Sequence, residues 1–299
     1  MQVFEAILWQ FLCLFPLSLQ YTCCKNFRFA TMVAKSIDIQ TVDLPPHQEG
    51  TRQLLLEWSP SHFHVLLINN EQLRVEAIES FQGLIADAAD WQVVVGQSRL
   101  LSMKQMPAWL ISTGPRILPI PENLYDAARS QQEIELLMGE DGAQMLAADI
   151  ISNYAMVLAW QMPEALLQVL RQHFSMLTIR HLLGQLLLQL PTHALQGELV
   201  LADETVLLVL RSHDQLLYVG SLPMLSPDDL VYRLLNICRQ FEVDAQQVHW
   251  KLSGTIEEAS PLYIGLERFL HHLTFLPPAF PFPAEARSHY FSHLMSAPL

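Results

Sequence analysis

A set of three short apolar strands separated by tight turns occurs twice in this sequence, half a chain apart, and this limits the fold more than any other feature. In the first copy, residues 53–58 (QLLLEW) and 62–68 (HFHVLLI) are joined by Ser59-Pro60-Ser61. Residues 72–79 follow the Asn69-Asn70 turn, with Leu73, Val75 and Ala77 alternating with polar neighbours. Alternation of period two is the strand signal, and Ser, Pro and Asn supply the turns. In the second copy, residues 198–202 (ELVLA), 205–211 (TVLLVLR) and 215–222 (QLLYVGSL) are joined by Asp203-Glu204 and by Ser212-His213-Asp214. An offset of 143 lays Val65, Leu66 and Leu67 over Leu208, Val209 and Leu210, and Glu71, Gln72 and Leu73 over Asp214, Gln215 and Leu216. A period of half the chain points to duplication of a whole lobe.

The segments after each triplet extend the pattern. Ser226 is an N-cap, Pro227 suits the first helical position, and Asp228 and Asp229 favour the positive end of the helix dipole. Val231, Leu234, Leu235, Cys238 and Phe241 then share one helical face. Residues 247–252 read as a strand ended by Gly254; Ser260-Pro261 opens another helix, with Leu262, Leu266, Phe269, Leu270 and Leu273 on its apolar face; Thr274 to Leu276 is a last short strand. The order β-β-β-α-β-α-β predicts an α/β fold with a mixed sheet and helices on its faces, five strands to each lobe. The first half is less regular. Residues 92–95 and 108–112 are apolar stretches, and Leu118 to Pro121 leads into a helix from about Glu122 to Met138. Residues 154–160 and 176–179 read as strands, Pro163 starts a helix carrying Leu166, Leu167, Leu170 and Phe174, and a Leu-rich helix runs to Leu190. Trp58, Trp91, Trp109, Trp160 and Trp250 lie in apolar segments and read as core. The division that follows is 1–31 as an N-terminal extension, 32–190 and 191–276 as two lobes, and 277–299 as a Pro-rich tail, of which Pro277 to Pro283 should run irregularly over the surface.

Residues 1–24 are nearly all apolar from Ile7 to Leu19, but Pro16 interrupts them and no basic residue precedes Lys25. The run is short for a membrane-spanning helix and lacks the positive start of a signal peptide. Three readings stay open: a mis-assigned start with Met32 as the true first residue, a signal or anchor, and a packed N-terminal helix.

Composition excludes several classes of function. Hydrophobic residues are 51% of the chain and charged residues 16%, which excludes intrinsic disorder. A net charge of -13, with no basic run, argues against binding nucleic acid or an anionic membrane surface. Of four cysteines, Cys13, Cys23 and Cys24 fall in the first 24 residues and leave Cys238 alone in the body, so there is neither a disulfide framework nor a Cys metal motif. Cys238 reads as inert packing, and the body as cytoplasmic. Phosphate-loop, dinucleotide and zinc-protease motifs are absent. Gly96-Gln97-Ser98-Arg99-Leu100 lacks the second Gly of a nucleophile elbow, which leaves Ser98 as a turn serine.

The duplicated β-β-β-α-β-α-β lobe resembles the ribonuclease H-like fold, and two lobes in tandem resemble actin-like ATPases. The segments ILPIPENLYDAA (117–128), YVGSLPMLSPDDLVYRLLNICRQFEVD (218–244) and LSGTIEEASPLYIGLERFL (252–270) are similar to one uncharacterised bacterial family, the domain of unknown function 3822 family, over roughly 51–277. The resemblance implies an actin-like ATPase fold of two ribonuclease H-like lobes with no assigned activity.

An actin-like nucleotide site needs Gly-containing hairpin turns whose N–H groups approach phosphates, and an Asp to hold the metal. The first hairpin turn here is Glu57-Trp58-Ser59-Pro60-Ser61 and the second Asp203-Glu204-Thr205. Neither contains Gly, and Pro60 has no N–H to give. Glu57, Ser59, Ser61, Asp203 and Thr205, with Gly254 of Ser253-Gly254-Thr255 as an adenosine-side turn, are therefore remnants of a nucleotide cleft. No catalytic residue is assigned. His62 and His64 share a strand face, and His289 and His293 stand four apart behind His271-His272. With no Cys or ordered carboxylate partner, the C-terminal histidines are expected on the surface of a mobile tail, and no metal site is assigned. The leading functional reading is a non-catalytic scaffold or interaction protein without cofactor, bound to an unidentified protein partner and not to nucleic acid, with membrane contact only if residues 1–24 are retained. The alternative is a divergent ATPase binding ATP and magnesium through Glu57 and Asp203.

Overall fold

Strands Arg52–Trp58 (β2), His62–Asn69 (β3) and Arg74–Gln82 (β4) form the first antiparallel meander, and Leu195–Ala202 (β10), Thr205–Ser212 (β11) and Gln215–Pro223 (β12) the second. The coordinates are a computed structural model that describes residues 33–40, 51–83, 88–139, 141–202, 204–213 and 215–295. The offset of 143 carries His62–Asn69 onto Thr205–Ser212, so the duplication read from side-chain phase holds for backbone as well. Ala108–Ser112 (β5) adds parallel to β2, and Leu177–His181 (β9) parallel to β5. In the second half, His249–Gly254 (β13) adds parallel to β10, and His272–Phe275 (β14) parallel to β13. With Ala34–Gln40 as β1, the sheet orders are β1-β4-β3-β2-β5-β9 and β12-β11-β10-β13-β14. Apart from β1 they are one topology used twice, an α/β arrangement of two ribonuclease H-like lobes.

Two parts of the first half depart from expectation. Its main sheet has six strands where five were expected, because Ala34–Gln40 (β1) pairs antiparallel with β4 and forms an edge. A separate three-stranded sheet, in the order β6-β8-β7, is made by Ile117–Pro121 (β6), Gln144–Ile151 (β7) and Met156–Pro163 (β8). Pro119 and Pro121 obscure β6 in the sequence, and the half-buried edge strand β7 carries too weak an alternation to stand out. Residues 92–95 lie inside the helix Ala88–Gln97 (α1), where Trp91 and Val94 are buried three apart. The helix expected from Glu122 is Ala127–Met138 (α2), because Asp126 caps it by accepting from the Arg129 N–H and a separate 3-10 turn precedes it.

Glu164–His173 (α3) leads into β9, and Leu182–Leu188 (α4) leaves it. The buried residues Leu182, Leu183, Leu186 and Leu187 of α4 belong to one core with Val200, Leu207, Val209 and Val219 of the second sheet. The alternate residues Leu199, Leu201, Val206, Leu208 and Leu210 face the other way. There they pack with Leu230, Leu234 and Ile237 of Pro227–Gln240 (α5) and Leu266 of Pro261–Glu267 (α6). The period-two pattern thus splits one sheet between two cores. Arg211 is fully buried at this junction; it donates to the carbonyls of Leu186 and Gln189 at the end of α4 and pairs with Glu198. Trp58, Trp91, Trp160 and Trp250 are buried, whereas Trp109 is half-buried. Cys238 is buried in α5, and burial pushes its thiol up to about 11, which fits inert packing.

The C-terminal segment does not simply run over the surface. Beyond β14 it returns to the first sheet, where the Pro281 carbonyl accepts from the Val75 N–H. It then forms two 3-10 turns, Ser288–Tyr290 and Ser292–Met295, and residues 291–295 are buried.

Candidate functional site

The ends of β2 and β3 carry the polar cluster of greatest interest, and the hairpin turn explains its shape. The Ser59 N–H donates to the His62 carbonyl (3.0 Å), and the N–H groups of Ser61 and His62 donate to Ser59 Oγ (3.4 and 3.1 Å). With Pro60 lacking an N–H, the turn directs its backbone donors inward and offers no phosphate cradle. Ser59 is fully buried, while Ser61 is exposed and accepts at its carbonyl from Gly83.

Glu57 is buried at 2% exposure, and three imidazoles surround it. His293 Nε2 donates to Glu57 Oε1 at 2.9 Å. His62 Nε2 lies 3.8 Å from Oε1, and His64 Nε2 lies 4.0 Å from Oε2. The His62 and His64 rings stack with centroids 4.3 Å apart. Each engages a serine through Nδ1: His62 with Ser59 Oγ at 2.8 Å, His64 with Ser80 Oγ at 2.7 Å. Burial opposes ionisation of Glu57, but the charge and hydrogen bond of His293, with His62 and His64 beside it, outweigh burial and hold its carboxyl well below the usual carboxylate range. The expectation that His293 sits on a mobile surface tail is wrong: it is 1% exposed, 236 residues from the glutamate it meets. Its ordered carboxylate partner is the glutamate that the sequence assigned to a nucleotide, and chain separation of that size gives no local signal.

The same C-terminal turn also binds the second lobe. His289 Nε2 donates to the Ile256 carbonyl at 2.9 Å, and its ring lies 4.7 Å from that of Phe275. Tyr290 Oη and Arg287 both meet the Glu257 carboxylate. On the other side, Phe291 packs edge-on against His64 at 5.1 Å. Residues 288–295 therefore bridge the first hairpin and the loop that follows β13.

The remaining predicted positions behave differently. Asp203 lies outside the described residues, as does the extension 1–31. Glu204 is exposed, and Thr205 begins β11 opposite Ala202. Gly254 sits opposite Leu201 with φ +90°, and a Cβ there would lie 2.1 Å from the Leu201 carbonyl oxygen. Close approach of two backbones accounts for that glycine without a nucleotide. The cluster brings Glu57, Ser59 and His62 together with two residues that sequence reasoning did not join to them, Ser80 and His293. Ser98 is buried and bonds Glu79, which anchors the loop after α1.

The family model for proteins of unknown function DUF3822 matches residues 41–273. The chain belongs to that family. A solved protein from Bacteroides thetaiotaomicron, described as having an actin-like ATPase fold and unknown function, is similar at 15% identity with a TM-score of 0.65, over 80% of this chain and 96% of that one. This likeness shows the actin-like ATPase fold. The PilM–PilN type IV pilus biogenesis complex matches at 14% identity and TM-score 0.47, over 82% and 97% of the two chains. The ethanolamine utilization protein EutJ of Carboxydothermus hydrogenoformans matches at 9% and 0.40, over 86% and 91%. Scores at that level add no argument about this chain. A search of curated proteins finds no match. The family and the fold identify no specific activity.

Proposed function

We propose that this DUF3822 protein is a non-catalytic interaction protein of the cytoplasm: an actin-like scaffold whose nucleotide side is occupied by its own C-terminus and whose partner is another protein. The observation that carries the reading is the His293–Glu57 contact, which seats residues 291–295 against the first hairpin, where a phosphate loop would have to open. The inward-turned donors of Ser59 to His62 support it. The cytoplasmic assignment rests on the cysteine distribution and on the buried Cys238 thiol. Among the described residues, no helix is long and apolar enough to cross a membrane. Leu225, Tyr232 and Ile264, exposed around α5 and α6, are apolar groups that a partner would cover.

Calorimetry with ATP and magnesium tests this reading. The expected result is no binding at millimolar nucleotide and background hydrolysis, unchanged in Asp203→Ala. Micromolar binding lost in Asp203→Ala would establish the divergent ATPase instead. Capture of native complexes with the full chain then identifies the partner.

A further inference from the structure

We propose that Glu57, His62 and His64 form a binding site for a divalent transition-metal ion of the zinc class, with His293, Ser59 and Ser80 as positioning residues. The ligand atoms of the three residues lie within 4.8 Å of one another, and all three residues are buried. Two imidazole nitrogens and one carboxylate oxygen are a donor set used by catalytic zinc, which keeps a fourth position open, and thiolates are not required. The site contains an independent sign of a missing ligand: Glu57 Oε2 is buried and has no hydrogen-bond partner, while Oε1 is held by His293. Leaving a buried carboxylate oxygen unpaired is costly, and a cation removes that cost.

The surroundings match what metal-binding histidines need. The Nδ1 atom of each imidazole meets a serine hydroxyl, which holds the ring with Nε2 toward Glu57; when the hydroxyl accepts from Nδ1–H, the Nε2 lone pair is left for the ion. The Nε2 atoms lie 3.8 and 4.0 Å from the carboxylate oxygens. Ligands about 2.0–2.1 Å from a tetrahedral ion stand about 3.3 Å apart, so ligand atoms that lie within 4.8 Å of one another draw together by up to about 1.5 Å to close the site. His62 and His64 come from one strand and Glu57 from its antiparallel partner, so the hairpin alone provides all three ligands. His293 then connects the ion to the C-terminal turn through Glu57. The inference is independent of the interaction-protein reading, since an ATPase could hold the same ion.

A second histidine group must be excluded by the test. His193, His249 and His272 stack at 3.9 and 4.9 Å on the surface of the second lobe, with no carboxylate in the stack. The experiment is titration of chelator-treated full-length protein with Zn2+ alone, and with Co2+ read by its visible absorption. The expected result is one equivalent bound at submicromolar affinity, with the intense absorption of four-coordinate Co2+. Affinity should fall at least about 100-fold in His64→Ala, about 10–100-fold in Ser80→Ala, which leaves the ligands in place, and not at all in His249→Ala. Circular dichroism confirms that each variant folds; if His64→Ala does not, Ser80→Ala and the Co2+ spectrum decide. Binding weaker than about 10 μM, an octahedral Co2+ spectrum, unchanged affinity in Ser80→Ala, or loss of binding in His249→Ala overturns the proposal.

Discussion

The two hairpins at the ends of β2 and β10 occupy equivalent places in sheets of one topology, yet they have been put to different uses. The first buries Glu57, Ser59, His62 and His64 and receives the C-terminal turn. The second presents Glu204 to solvent. The strands that follow differ in the opposite sense. Trp58 faces Ser112 across β2 and β5, and the equivalent Leu201 faces Gly254 across β10 and β13. Only the second position requires glycine. A duplicated backbone therefore constrains packing in both lobes but leaves turn chemistry free to diverge, and here polar chemistry collects in the first.

The largest effect should come from exchanging the equivalent strand-end residues. Gly254→Ser places a side chain into the Leu201 carbonyl at positive φ and should cost about 3 kcal/mol or more in urea unfolding. Ser112→Gly should cost only about 1–2 kcal/mol, from chain entropy and the lost bond to the Gly114 N–H. Similar losses at both positions would contradict the claim that only the second requires glycine.

A first-lobe histidine gives the next effect. His181 Nε2 donates to the Gly114 carbonyl and Nδ1 accepts from Leu183 N–H, so the neutral ring is satisfied. Burial pushes its pKa down from 6.5 to about 4 despite the Gly114 carbonyl. The unfolded chain therefore binds more protons between those values, and stability should fall as pH drops from 6.5 to 4, by about 3 kcal/mol. Glu57, depressed below the usual carboxylate range, adds a loss of the same sign at lower pH. Urea unfolding at pH 7, 5.5 and 4.5 measures the slope, and a flat profile would contradict the buried neutral histidine.

Removing the tail contact sharpens the contrast between hairpins. His293→Ala should cost about 1–3 kcal/mol, because it leaves Glu57 Oε1 buried without its donor. Glu204→Ala, in the exposed turn, should stay within about 0.5 kcal/mol. Smallest of all is the difference between the helix caps. Asp126→Ala in the first lobe and Ser226→Ala in the second each remove one acceptor from a helix N-terminus and should each cost about 1 kcal/mol.

Much of the fold was legible because it is written locally. The meanders, the cap at Ser226 and the strand end at Gly254 depend on residues near one another in the chain, and the repeat supplied a second reading of each. The first half hid more: β1 lies on an edge with a shallow pattern, and β6 contains two prolines. In the candidate site, Glu57 and the shared face of His62 and His64 were visible, since all three lie on one hairpin. Ser80 and His293 were not, because they arrive from β4 and from the far end of the chain, and period and spacing do not extend across such distances.

The central claim is that the C-terminal turn is a fixed part of the first hairpin's surroundings and not a loose end. Hydrogen exchange of the full chain, followed in the peptide covering residues 288–295, tests it most directly. The account predicts protection well above that of an open chain, no change on adding ATP and magnesium, and partial loss in His293→Ala. Exchange of this peptide at the rate of an unstructured segment in the unmodified protein would contradict it.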